Sequence, residues 1–111
     1  MTDDDLRLLE AAGATEVEAA AGYVLIERGQ PGAGIYVILE GTVVVEAPEG
    51  DIELGPRTVI GERALLAEHG RRAARVRATT PVRLLAVDRV EFEQLRSEDP
   101  ALAQRLVDAG V

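Results

Sequence analysis

The sequence predicts a mainly β domain, a closed antiparallel sandwich or barrel with short helices at either end. Three observations predict it. Short runs rich in β-branched and aliphatic residues follow one another between residues 15 and 87. Turn residues punctuate them at 22, 29–34, 41, 48–50, 55–56 and 79–81. Helical spacing of apolar residues is confined to the two ends of the chain. Many short strands at near-even spacing close into two-layer or barrel architectures.

Taken in order, residues 3–12 form a short helix, with Leu6, Leu9 and Glu10 at helical spacing, Thr2 and the Asp run as its cap and Gly13 as its end. Strands are expected over 17–20, 23–26, 35–39, 42–47, 52–54, 73–78 and 82–87. Gly41, between the third and fourth of these, reads as a hairpin turn. Residues 62–67 break the rhythm. Glu62, Arg63, Ala64, Leu65, Leu66 and Ala67 are helix formers without a β-branched side chain, and they predict a single helical turn set among the strands. From Arg89 the chain is helical again to Ala109. Val90, Phe92 and Leu95, then Leu102, Leu106 and Val107, have amphipathic spacing, and Pro100 starts the second helix. No internal repeat and no linker appears, so residues 1–111 read as one domain: a helix over 3–12, strands over 15–87, helices over 89–109.

Composition excludes several classes of function. The 111 residues contain no cysteine and one histidine, His69. A thiol nucleophile, a disulfide and a thiolate metal site are therefore impossible, and a cupin-like metal enzyme lacks its histidines. Ser97 is the one serine and lies in a helical segment, which leaves no site for a serine hydrolase. The chain is thus read as no enzyme, with no catalytic residue, no metal and no cofactor. No leader and no apolar run of membrane length appears, so a soluble, cytoplasmic protein without membrane insertion is expected. The net charge of -8 argues against nucleic acid and anionic membrane as partners, and so against direct DNA binding.

The distribution of charge is more informative than the sum. Residues 1–53 carry two arginines and twelve acids, residues 54–90 eight arginines and three acids, and residues 91–111 two arginines and five acids. Solvated strand faces and a local site for a small anion both fit the basic segment. All twelve basic residues are arginine, which points to a GC-rich genome and not to a function.

The chemistry concentrates in residues 61–76. Gly61 lets backbone approach a ligand closely. The helical turn after it presents free N–H groups and a positive dipole end, which together suit an anion. Arg72 carries a fork suited to bidentate phosphate recognition. Glu62 beside an anion site is unfavourable for bare phosphate, and sensible for a ligand that also presents hydroxyl donors, as ribose does. The plainer readings are a turn glycine, a strand arginine on the surface and a helix-start acid; Arg71 and His69 read as solvated loop residues.

These residues resemble the cyclic nucleotide-binding domain family, the superfamily of the catabolite activator protein and the protein kinase A regulatory subunit. The family's phosphate-binding cassette is matched by Gly61-Glu62, by Ala64-Leu65-Leu66 and by Arg72-Ala73-Ala74. The ten-residue step from Glu62 to Arg72 is that of the bacterial activator branch, while the kinase branch would place the arginine at 71. Gly22 and Gly29, the stretch 34–43 read as a glycine-bounded hairpin, and Leu54-Gly55-Pro56 extend the resemblance over about 2–106. It implies an antiparallel β-roll (a double-stranded β-helix, or jelly-roll) with a short helical turn in the cassette. It also implies a regulatory sensor whose ligand is cyclic AMP or cyclic GMP and whose output passes to a partner protein or a further domain. The ligand set is then Gly61, Glu62, Arg63, Ala64, Leu65, Arg72 and Ala73. Arg72 and backbone N–H groups near Ala64 and Leu65 would hold phosphate, and Glu62 the ribose 2′-hydroxyl. Ala73 stands where a hydroxyl residue would favour guanine, so cyclic AMP is expected. The alternative is a degenerate member that binds no nucleotide and serves as a protein-interaction domain. Arg63 departs from the family in replacing an apolar residue, Arg75 in following Arg72 within the strand, and the last helix in its shortness.

Overall fold

The computed structural model describes residues 1–29, 34–61 and 74–110. Helix α1 spans Asp3–Ala11, and strands β1 to β8 span Thr15–Ala19, Val24–Ile26, Gly34–Glu40, Val43–Ala47, Gly50–Leu54, Val59–Ile60, Arg75–Ala78 and Val82–Asp88. Helices α2, Arg89–Glu98, and α3, Pro100–Asp108, complete the order. The strands form two four-stranded antiparallel sheets, β1-β8-β3-β6 and β2-β7-β4-β5. This is the expected β-roll.

Three layers result, because the first sheet is covered on both faces. Ile35, Val37, Val59, Leu85 and Val87 point to one side and pack with Leu9, Phe92, Leu95, Leu102 and Leu106 of the helices. Ile38, Ile60, Val82 and Leu84 point to the other and pack with Ile26, Val43, Val76 and Ala78 of the second sheet. A strand buried on both faces has no polar alternation, which is why β3 and β8 read as near-continuous apolar runs. The second sheet turns its outer face to water, and there Arg75 and Arg77 alternate with the buried Val76 and Ala78.

The helix signals are realised locally. Thr2 and Asp5 form a capping box on α1, with the Asp5 N–H donating to Thr2 Oγ1 and the Thr2 N–H to Asp5 Oδ2, both at 3.1 Å. Asp88 and Glu91 do the same for α2. Pro100 opens α3 behind the N-cap Asp99. Phe92, Leu95, Leu102 and Leu106 form the expected buried stripe, but Val90 does not join it. Two residues from Phe92, it lies across the helix and is 73% exposed.

Two corrections concern turns and strands. Gly41 is a corner and not a hairpin turn. It joins β3 in one sheet to β4 in the other, and the stretch 34–43 is therefore no hairpin. Its φ of +88° and its contact with the Pro81 carbonyl leave no room for a Cβ, which would also lie 2.8 Å from Thr80 Oγ1 and Val82 Cγ1. The true hairpin is β4–β5, where Ala47 pairs with Gly50. Strand β6 was not expected: its two residues are too few to show a period. Strand β7 begins at Arg75, and Ala73, its expected first residue, lies outside the described residues.

Candidate functional site

Of the residues singled out by sequence, Gly61 is described. Glu62, Arg63, Ala64, Leu65, Arg72 and Ala73, with His69 and the helical turn expected over 62–67, lie outside the described residues. The site is therefore built from what frames it. Gly61 follows β6 directly and has φ +93°, a conformation that a side chain would strain.

Both ends of the segment 61–75 are anchored in one place. Ile60 before it and Val76 after it are 2% and 4% exposed and belong to the same core cluster between the sheets. The segment leaves the edge strand of the first sheet and returns to an inner strand of the second, so its two ends are fixed to both layers of the roll.

Beside these anchors the inner face of the second sheet opens. Directly paired residues of an antiparallel sheet share a face. One row across the sheet is Leu54, Val43, Ala78, and the next is Ile52, Val45, Val76. In the first row Val43 and Ala78 are wholly buried. In the second, exposure rises from Val76 through the half-buried Val45 to Ile52, at 48%. Tyr36, Leu25 and Leu54 are also half-buried against this cluster. An open apolar surface of this kind suits a flat, weakly polar group. Val45, Ile52 and Leu54 were not singled out by sequence, although the alternation within 43–47 and 52–54 puts them on one face.

The described arginines of the basic segment have partners of their own. Arg75 Nε donates to Glu27 Oε1 at 3.1 Å, and Arg77 Nε to Glu46 Oε1 at 3.0 Å, both on the outer face. The Arg75 hydrogen bond, more than its charge, holds the Glu27 carboxyl below the ordinary 4.5. Arg57 pairs with Asp3. Arg83 Nη1 donates to Glu40 at 2.8 Å, and its Nε lies 2.5 Å from Glu16. Arg75 and Arg77 accord with the solvated-face reading, whereas Arg57 ties a turn to the start of α1 and Arg83 reaches from β8 to both β1 and β3. The arginines at 63, 71 and 72 lie outside the described residues. A surface hollow of about 410 Å³ lined by Glu18, Ala19, Ala20, Glu40, Pro81, Val82 and Arg83 shares no residue with the predicted set. Among the described residues no cluster of His, Cys, Asp and Glu could hold a metal ion, and no helix is long and apolar enough to cross a membrane.

Residues 16–99 match the model of the cyclic nucleotide-binding domain. The chain belongs to the cyclic nucleotide-binding domain family. A cyclic nucleotide-gated potassium channel of Rhizobium etli is 37% identical over 86 residues, which make up 78% of this chain and 24% of the channel. The chain thus spans about a quarter of the length of such relatives. A solved structure from a cyclic-GMP-dependent signalling pathway that regulates bacterial phytopathogenesis superposes with a TM-score of 0.87 at 27% identity, covering 97% of this chain and 89% of that one. The catabolite activator protein of Thermus thermophilus superposes with a TM-score of 0.80 over 98% of this chain and 53% of its own. At 23% identity that likeness shows the fold alone. Members of this family are typically regulatory and not catalytic.

Proposed function

We propose that this domain is a sensor that binds a cyclic nucleotide between the inner face of the second sheet and the segment 61–73. One observation carries the reading: Ile60 and Val76 anchor both ends of that segment in one cluster, next to the open row formed by Val45 and Ile52. The base would cover this apolar row. Arg72, with the backbone N–H groups around Ala64 and Leu65, would hold the cyclic phosphate. Glu62 would accept the ribose 2′-hydroxyl. Gly61 would allow close backbone approach, and Arg63 and Ala73 would line the pocket. The family match supports the ligand class. The fold supports the placement.

Cyclic AMP is the expected ligand, because Ala73 offers no hydroxyl to a guanine amino group. Cyclic GMP is the second reading, favoured by the structural relative from a cyclic-GMP-dependent pathway. Output would pass through α2 and α3 to a partner protein or a further domain, in keeping with relatives far longer than this chain.

Thermal unfolding with each nucleotide tests the reading. A ligand at about a hundred times its Kd adds ~2.7 kcal/mol of stability, and a rise in Tm with either nucleotide is expected. No rise with either would favour a domain that binds no nucleotide and acts through protein contacts.

A further inference from the structure

The turn 55–58 that leads from β5 into β6 carries the one non-glycine residue with positive φ among the described residues, Arg57 at +71°. The Thr58 N–H closes this turn on the Gly55 carbonyl at 3.3 Å, which puts Arg57 at its third position. A turn with that position in the left-handed region favours glycine, and any side chain there is disfavoured by its Cβ. The Arg57 backbone is nevertheless fixed, its N–H donating to the Ile38 carbonyl at 2.7 Å while the Ile38 N–H donates to Thr58 at 3.0 Å.

The side chain gives the reason for an arginine. Arg57 Nη1 donates to the Met1 carbonyl at 3.0 Å, and Nη2 pairs with Asp3. Both contacts lie at the start of α1. The same helix is tied to α3, where Arg105 Nε and Nη2 reach Asp5 Oδ1 at 3.0 and 2.9 Å. The end of α3 returns to β6, where the Val59 N–H donates to the Ala109 carbonyl at 3.3 Å and Val59 bridges Gly110. The circuit therefore closes: turn to α1, α1 to α3, α3 to β6. It closes two residues before Gly61.

We propose that Arg57 is a positioning residue, a latch whose strained backbone is kept because its fork holds α1 against the strand that enters the segment 61–73. The latch links docking of α1 to the geometry of that segment; its response to ligand rests on the cyclic nucleotide reading above. The Arg57–Asp3 pair is suited to a releasable contact. The two side chains are 44% and 74% exposed, and an exposed pair is weak and screened by salt. Elements that move are drawn from the less stable parts of a fold.

Hydrogen exchange on the full chain, read in α1 and in the sheets, tests the latch. Arg57→Gly removes both the strain and the fork. It should raise exchange severalfold in α1 while leaving the strands at least as protected as before. Arg57→Lys keeps the strain and loses the fork, so it should loosen α1 and also lower the Tm below that of Arg57→Gly. Unchanged exchange in α1 in both variants, or a Tm lower in Arg57→Gly than in Arg57→Lys, would overturn the latch. A second arm adds cyclic AMP or cyclic GMP. Protection should change in α1 of the wild type and not in Arg57→Gly. If the nucleotide alters residues 61–73 but never α1, the linkage is overturned. If neither nucleotide alters any residue, the functional reading fails and the linkage to ligand fails with it, while the first arm still decides the latch.

Discussion

The N–H of Val59 donates to the carbonyl of Ala109 at 3.3 Å, so the strand that enters the segment 61–73 is bonded to the C-cap of α3. Strands locked by non-local hydrogen bonds are poor moving parts, whereas helices packed by an apolar stripe can shift between two arrangements. A ligand drives such a shift only if it binds one arrangement better. Hydrogen exchange with and without nucleotide should therefore change at 61–72 directly and at 89–109 remotely. A response confined to 61–72 would mean that binding is not transmitted through the C-terminal helices.

Gly41→Ala should destabilise the domain by more than about 1 kcal/mol. The φ of +88° disfavours a side chain, and the new Cβ would press on the Pro81 carbonyl, which belongs to the backbone and cannot swing away. Urea unfolding of the variant measures this. A loss no larger than that of an exposed loop substitution would show that the corner relaxes freely.

Asp5 predicts a response to acid. It is 6% exposed, and its carboxyl is held below the ordinary 3.8 first by the Thr2 N–H and also by Arg105. A lowered folded value means that the carboxylate stabilises the fold above pH ~4. That contribution is lost as the pH falls below 3.8 through the folded value. Asp5→Asn should cost about 1 kcal/mol at neutral pH, a figure reduced by the half-exposed Arg105. Its unfolding free energy should then fall less steeply than that of the wild type between pH 4 and pH 2. Parallel curves would show that Asp5 titrates alike in the folded and unfolded chains.

Much of this architecture is legible in the sequence, for local reasons. Thr2 and Pro100 announce their helices because caps act within one turn; Asp88 caps α2 in the same way but was not singled out. The apolar runs of β3 and β8 announce strands; that both their faces are buried follows from the helices and the second sheet packed on them. Gly41 shows where the limits lie: the need for a turn there was legible, but whether the chain folds back or crosses to the other sheet depends on the pairing of β3 with β8 and of β4 with β7. Strand β6 owes its existence to β3 and to the C-terminus, and not to its own two residues. The order of residue types at 61–74 carried the resemblance to the family that the match over residues 16–99 shows. The sorting of arginines was not legible, since Arg75 and Arg77 meet Glu27 and Glu46 only across strands. Likewise Val45 and Ile52 become a surface only through the register that pairs them.

Specificity should follow from two positions. With Ala73 offering no hydroxyl and Ile52 leaving the inner face partly open, discrimination between cyclic AMP and cyclic GMP should be modest, and Ala73→Thr should move it towards cyclic GMP. Competition binding measures the ratio; a strong native preference for cyclic GMP would contradict the role given to Ala73. Glu62→Gln should weaken binding of the ribose nucleotide, and the 2′-deoxy analogue should lose nothing further in that variant. Independent, additive losses in that cycle would show that the two groups do not touch.

On the proposed reading Arg72 holds the phosphate of a cyclic nucleotide. Isothermal titration of wild type and Arg72→Leu with cyclic AMP and cyclic GMP tests it most directly. A hydrogen bond to a charged group is worth about 1.5–3 kcal/mol, so the substitution should weaken binding more than about tenfold while the Tm without ligand stays close to that of the wild type. Equal affinities in the two proteins would remove Arg72 from the site, and no heat of binding with either nucleotide would contradict cyclic nucleotide binding by this domain.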